Sequence, residues 1–188
     1  AYTPSAPRFN PLWAASARLG MCIQIHPWDM MGKEMMTKYW LPWLVGMPAE
    51  TSRAACSMVF SGVFDRYPNL RVMFSHASGA FLATLGRIEH GWRCRPDLVA
   101  VDNPNNPRDY VGRFWVDSIT HDARMTQYAL ELQGAGRIVM GSDYPFPLGD
   151  LEFGRYLETD MELSKEDRAL MFHGAALEWL GIDRSRFD

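Results

Sequence analysis

Arg71-Val72-Met73-Phe74-Ser75-His76-Ala77-Ser78-Gly79 is the stretch on which the fold turns. A short apolar run, rich in β-branched and aromatic residues, stops at an ionisable side chain and gives way to small turn residues, as a buried strand does. The pattern recurs on both sides. Met21 to His26 runs into Pro27, and Arg137 to Asp143 runs into Tyr144-Pro145. A fourth apolar run, Arg113 to Ser118, lies between the last two. Helical patterns separate these runs. Leu12 to Leu19 stops before Gly20, and Ala49 to Arg66 is bounded by Pro48 and Pro68. Gly79 to Trp92 sets Leu82, Leu85, Ile88 and Trp92 along one stripe, and Met125, Ala129 and Leu132 precede Gly134. Ser164 offers an N-cap with an acidic first turn to a helix ending near Leu180. Residues 94–112, with Pro96, Pro104 and Pro107, read as a loop. Successive units run from about 27 to 50 residues, compatible with the roughly 30 that a βαβ unit needs, and predict parallel strands joined by helices, hence an α/β fold. Four strands make an open sheet or half of a closed barrel, with two free edges and one apolar face uncovered.

Composition narrows the function. The chain has 188 residues, 47% hydrophobic and 22% charged, which suits one domain with a core. A net charge of −3 gives no basic footprint for nucleic acid or anionic lipid. No apolar run has the length of a membrane span, and Ala1 to Asn10 lacks the blocks of a signal peptide, so a cytosolic protein is expected. Cys22, Cys56 and Cys94 are odd in number and form no CxxC knuckle, which favours reduced thiols. Seven Trp and twelve Met point to a large core, a subunit interface or a ring-lined pocket.

In parallel α/β folds the carboxyl ends of the strands surround the site. His26, His76 and Asp143 therefore converge on one rim, where a lone strand-end histidine would be read as structural. Two imidazoles and a carboxylate suit a divalent metal such as zinc, with a group left over for acid–base work. A Ser-His-Asp triad is disfavoured because no serine occupies a G-x-S-x-G elbow. Gly79, Gly86 and Gly91 spell no dinucleotide fingerprint. Met30, Met31, Met35 and Met36 read as flexible packing, and His90, His121 and His173 as surface or capping residues.

Three longer strings, His26 to Met30, Trp40 to Thr51 and Gly141 to Gly149, resemble the aminocarboxymuconate semialdehyde decarboxylases of the metal-dependent amidohydrolase superfamily. The likeness runs from Pro11 to Ile182. It implies a (β/α)8 TIM barrel of which residues 1–188 form the C-terminal four or so βα units of a single domain. It also implies one zinc ion, a cytosolic homodimer, and oxygen-independent decarboxylation of a small molecule, 2-amino-3-carboxymuconate 6-semialdehyde, in tryptophan catabolism through kynurenine. Position by position, His26 and Asp143 resemble zinc ligands and His76 the acid–base residue. Trp40 and Phe146 resemble pocket residues, and Arg87 the arginine lent to the neighbouring subunit's site to hold a substrate carboxylate. No His-x-His pair occurs in the chain, so two of the family's four protein ligands are represented. His76-Ala77-Ser78-Gly79 also stands where the family tends to show His-Gly-Gly-Gly. Two alternatives stay open: a non-catalytic subunit that dimerises with or regulates a complete enzyme, and a related hydroxybenzoate decarboxylase.

Overall fold

The computed structural model describes residues 3–187, so the first two residues and the last of the expected domain lie outside the described residues. Strands β1 (Cys22–Ile25), β2 (Arg71–Phe74), β3 (Trp115–Asp117) and β4 (Ile138–Val139) form one sheet in sequence order, every pair parallel. Each falls inside a run singled out from the sequence. The register aligns Gln24 with Met73, Met73 with Trp115, and Asp117 with Val139, so these residues share one face.

The opposite face carries the main core. Val72, Phe74, Val116 and Ile138 are packed there with residues of several helices, three of which precede β2. These three are α1 (Asn10–Leu19), α2 (Met47–Phe60) and α3 (Val63–Arg66). Phe114 is fully buried, with Phe64, Phe74 and Phe81 at ring-centroid distances of 5.9, 5.1 and 5.9 Å. The helix expected over 49–66 is two helices, because Gly62 takes φ 68° between them. The one expected from Gly79 begins later, as α4 (Leu85–Cys94), since residues 76–79 all have positive φ. The 94–112 segment is a loop that also holds α5 (Pro96–Val99) and a 3-10 turn, Pro107–Tyr110.

Asp122 caps α6 (Ala123–Gln133), accepting the Arg124 and Met125 amides. Helix α7 (Arg155–Thr159) was not expected from the sequence. Ser164 accepts the Asp167 amide at the start of α8 (Lys165–Ala169), as its N-cap pattern predicts. A π-helical turn, Leu170–Gly174, joins α8 to α9 (Ala175–Leu180). Ala175 and Trp179 of α9 pack on Met73, Trp115 and Val139, so the sheet face expected to be bare is partly covered. The outer edges of β1 and β4 carry no partner strand among the described residues. No helix there is long and apolar enough to cross a membrane.

Candidate metal and acid–base site

The site is built at the carboxyl ends of β1, β2 and β4. His26 follows β1, His76 follows β2 after one residue, and Asp143 lies four residues past the end of β4. One atom from each lies within 4.8 Å of the other two. Backbone strain gathers here: His76, Ala77, Ser78, His121 and Asp143 all have φ between 48° and 66°. For residues with a Cβ, the left-handed region is costly and is held only where surrounding contacts impose it.

The donor set can be tested for a cation from the tautomer of His26. Its Nδ1 lies 2.8 Å from the Pro27 carbonyl oxygen, which only accepts, so Nδ1 carries the proton. In the neutral ring, Nε2 then turns a lone pair toward Asp143 Oδ1, 3.1 Å away. His76 Nε2 stands 3.4 Å from the same oxygen and is buried with no hydrogen-bond partner. Lone pairs facing one another at this range are stable only with a proton or a cation between them. Two ligand atoms bound tetrahedrally at about 2.1 Å stand about 3.4 Å apart, so the spacing fits a divalent ion. The His26 and His76 rings meet edge to face at 4.9 Å, and Phe146 stacks on His26 at 5.7 Å.

A cavity of about 320 Å³ opens beside this cluster. His76, Asp143 and Phe146 line it, with Trp43, Met47, Ile119, Met125 and Leu148 adding a largely apolar wall. Such a shape suits a small organic molecule with a few polar groups. Of the residues singled out from the sequence, Phe146 is in this wall. Trp40 is half-exposed and stacks on Trp43 at 5.5 Å, and it is Trp43, turned inward by the π-helical segment Pro42–Gly46, that lines the cavity. Arg87 is exposed on α4 and is not among the residues that line the cavity. His90, His121 and His173 are all exposed, as a surface reading expects, and His121 also joins the cavity wall.

Two carboxylates escaped the sequence reading. Glu50, inside the Trp40–Thr51 string, accepts the backbone amides of Trp28, Asp29 and Met30 at 3.3, 3.3 and 2.5 Å and so braces the turn behind His26. Asp117 ends β3, buried below the cluster. The signal was present in Val116-Asp117-Ser118, a fourth strand ending in an ionisable residue. Burial pushes the Asp117 carboxyl above the usual range, opposed by His76 and by neighbouring backbone amides.

The Amidohydrolase family profile matches residues 1–182. The 2-amino-3-carboxymuconate-6-semialdehyde decarboxylase of Dictyostelium discoideum is 50% identical over 181 residues, covering 96% of this chain and 50% of that protein. Its Caenorhabditis elegans counterpart is 40% identical over 168 residues, 89% of this chain and 42% of that protein. The chain thus spans about half the length of these curated relatives. In fold it resembles the crystal structure of 5-carboxyvanillate decarboxylase from Sphingomonas paucimobilis, with a TM-score of 0.85 at 22% identity, covering 97% of this chain and 56% of that one. A dihydroxybenzoic acid decarboxylase from a Polaromonas species, solved with manganese and an inhibitor, gives 0.80 at 21% identity, covering 98% and 57%.

Proposed function

The chain belongs to the amidohydrolase family, and on that footing we propose that it forms the C-terminal part of a zinc-dependent carboxy-lyase. The reaction is conversion of 2-amino-3-carboxymuconate 6-semialdehyde to 2-aminomuconate 6-semialdehyde, a cytosolic, oxygen-independent step of tryptophan breakdown. The observation that carries it is the cluster of His26, His76 and Asp143 at the carboxyl ends of three parallel strands, with His76 and Asp143 lining the cavity beside it. The 50% identity to a relative bearing this name supports the choice of substrate.

His26 Nε2 and Asp143 Oδ1 would hold the cation. When bound, it supplies Lewis acidity at the polar end of the cavity. An imidazole nitrogen and a carboxylate oxygen are donors that zinc accepts readily. His76 presents a buried, unpartnered Nε2 beside that point and moves a proton to or from the bound substrate. Phe146, Trp43 and Met47 form the apolar wall that packs the unsaturated chain and excludes water. Arg87 is exposed on α4 and serves the site of a second copy in a homodimer, where a guanidinium binds a carboxylate in two-pronged fashion.

The test begins with metal content. After dialysis against a weak chelator, elemental analysis is expected to find close to one zinc per site. Carbon dioxide release from the muconate substrate is then compared with release from 2,6-dihydroxybenzoate, using this chain and any longer product of its reading frame. Preference for the benzoate assigns the chain to the hydroxybenzoate decarboxylases instead, and turnover untouched by His76→Ala removes that residue from the mechanism. Mixing inactive His76→Ala and Arg87→Ala proteins should restore part of the activity if each site draws on both copies.

A further inference from the structure

Behind His76 the chain makes a turn that its sequence disfavours. His76, Ala77 and Ser78 take φ of 55°, 48° and 66° in succession, and Gly79 follows at 63°. A single left-handed residue with a side chain is uncommon, and three in a row require outside support. Local bonds supply part of it: the Gly79 amide donates to the His76 carbonyl at 2.7 Å, and the Ser78 hydroxyl to the Ala77 carbonyl. The remaining support comes from another strand. Asp117 Oδ1 accepts the Ala77 amide at 3.1 Å and the Ile119 amide at 3.1 Å. One buried oxygen thereby joins the turn that carries His76 to the turn that carries His121. Room for it is kept by Gly141, where a Cβ would stand 3.0 Å from that of Asp117. Asp117 does not line the cavity, and none of its hydrogen bonds reaches a site side chain.

We propose that Asp117 is the positioning residue for His76: by accepting the Ala77 and Ile119 amides it holds the left-handed 76–78 turn and so aims Nε2 of His76 at Asp143. This rests on the reading of His76 as the proton-handling group. Position is what such a group needs most, since a displacement of about 1 Å costs on the order of 100-fold in rate. The role belongs to the acceptor oxygen and not to the charge, and an asparagine side chain supplies the same oxygen.

The test uses Asp117→Asn, Asp117→Ala and the double variant Asp117→Ala with Ala77→Gly. In the metal-free chain, NMR reads amide exchange at Ala77 and Ile119 and the ring-to-ring contact of His26 with His76. The unmodified protein and Asp117→Asn are expected to protect both amides and keep the ring contact. Asp117→Ala is expected to lose both while core amides such as Val116 stay protected. Glycine at 77 removes the left-handed penalty, so the double variant should regain part of the ring contact. In turnover, kcat of Asp117→Ala falls by about 100-fold with KM unchanged. The proposal is overturned if Asp117→Ala keeps the ring contact and the protected Ala77 amide, or if Asp117→Asn loses them. Should Asp117→Ala fail to fold, Asp117→Asn decides the matter alone. An unmodified protein that releases no carbon dioxide refutes the substrate reading and leaves these NMR outcomes untouched, so the two failures are told apart.

Discussion

Replacing Gly79 by alanine tests how tightly the His76 turn is wedged against α2. At Gly79 an added Cβ would lie 2.3 Å from the Pro48 carbonyl oxygen and 3.0 Å from its carbonyl carbon and Cα, all of them backbone atoms. The neighbour that must yield is therefore the start of a helix and not a side-chain tip. Its carbonyl also accepts the Ala80 amide at 3.3 Å, a bond that the displacement would break. The φ of 63° adds about 1–2 kcal/mol for a residue with a Cβ. Overpacking in a closed environment adds about 1–3 kcal/mol. Gly79→Ala should therefore destabilise the fold by about 2–5 kcal/mol, lowering Tm by about 4–20 °C for a chain of this size. Urea unfolding followed by circular dichroism, with metal content held constant, measures it. Gly86 is the internal control: it lies in α4 with nothing within 4 Å of an added Cβ, so Gly86→Ala should stabilise by up to about 1 kcal/mol. A loss below about 1 kcal/mol for Gly79→Ala, or equal effects at the two glycines, would refute the wedge argument.

Three further outcomes are expected. Phe114→Ala empties a fully buried aromatic position among three other rings and should cost about 3–5 kcal/mol in the same unfolding experiment. Asp143→Asn should weaken metal binding by at least about 100-fold, the upper end of what removing a mere supporting partner of a ligand costs, as read by competition with a chromogenic chelator. Burial pushes the Cys56 thiol up to about 11, whereas in the unfolded chain it ionises near its ordinary value. The folded state thus holds its proton longer, and stability present below about pH 8.5 is lost progressively toward pH 11, by at most about 3 kcal/mol. The difference between the unmodified protein and Cys56→Ala isolates this contribution, and at pH 8 exposed Cys94 should alkylate well before Cys56.

What the amino-acid sequence determined by itself was the alternation of strands and helices and the residues at the strand ends. Strand runs are legible because burial on both faces of a parallel sheet demands continuous apolar residues, and three of the four runs here end abruptly at an ionisable residue and a breaker. His26, His76 and Asp143 stand out for the same reason, as ionisable groups where an apolar run stops. Asp117 followed the same rule and was passed over because Ser118 and Ile119 blur the end of its run. Helix ends were less legible. Gly62 could have sat within a helix, but it takes the left-handed conformation between α2 and α3, where residues of both pack into the core. Only the tertiary structure decided which aromatic residue faces the cavity, since Trp40 and Trp43 lie in the same string and only Trp43 falls within the π-helical segment. It alone brought His121 to the wall and laid Ala175 and Trp179 across the inner sheet face. The same holds for the run of left-handed residues behind His76, where bonds to Asp117 from 40 positions away outweigh the local preference of Ala77 and Ser78. Local sequence sets what each segment prefers, and long-range hydrogen bonds and packing choose the conformation at the few positions where the chemistry requires another.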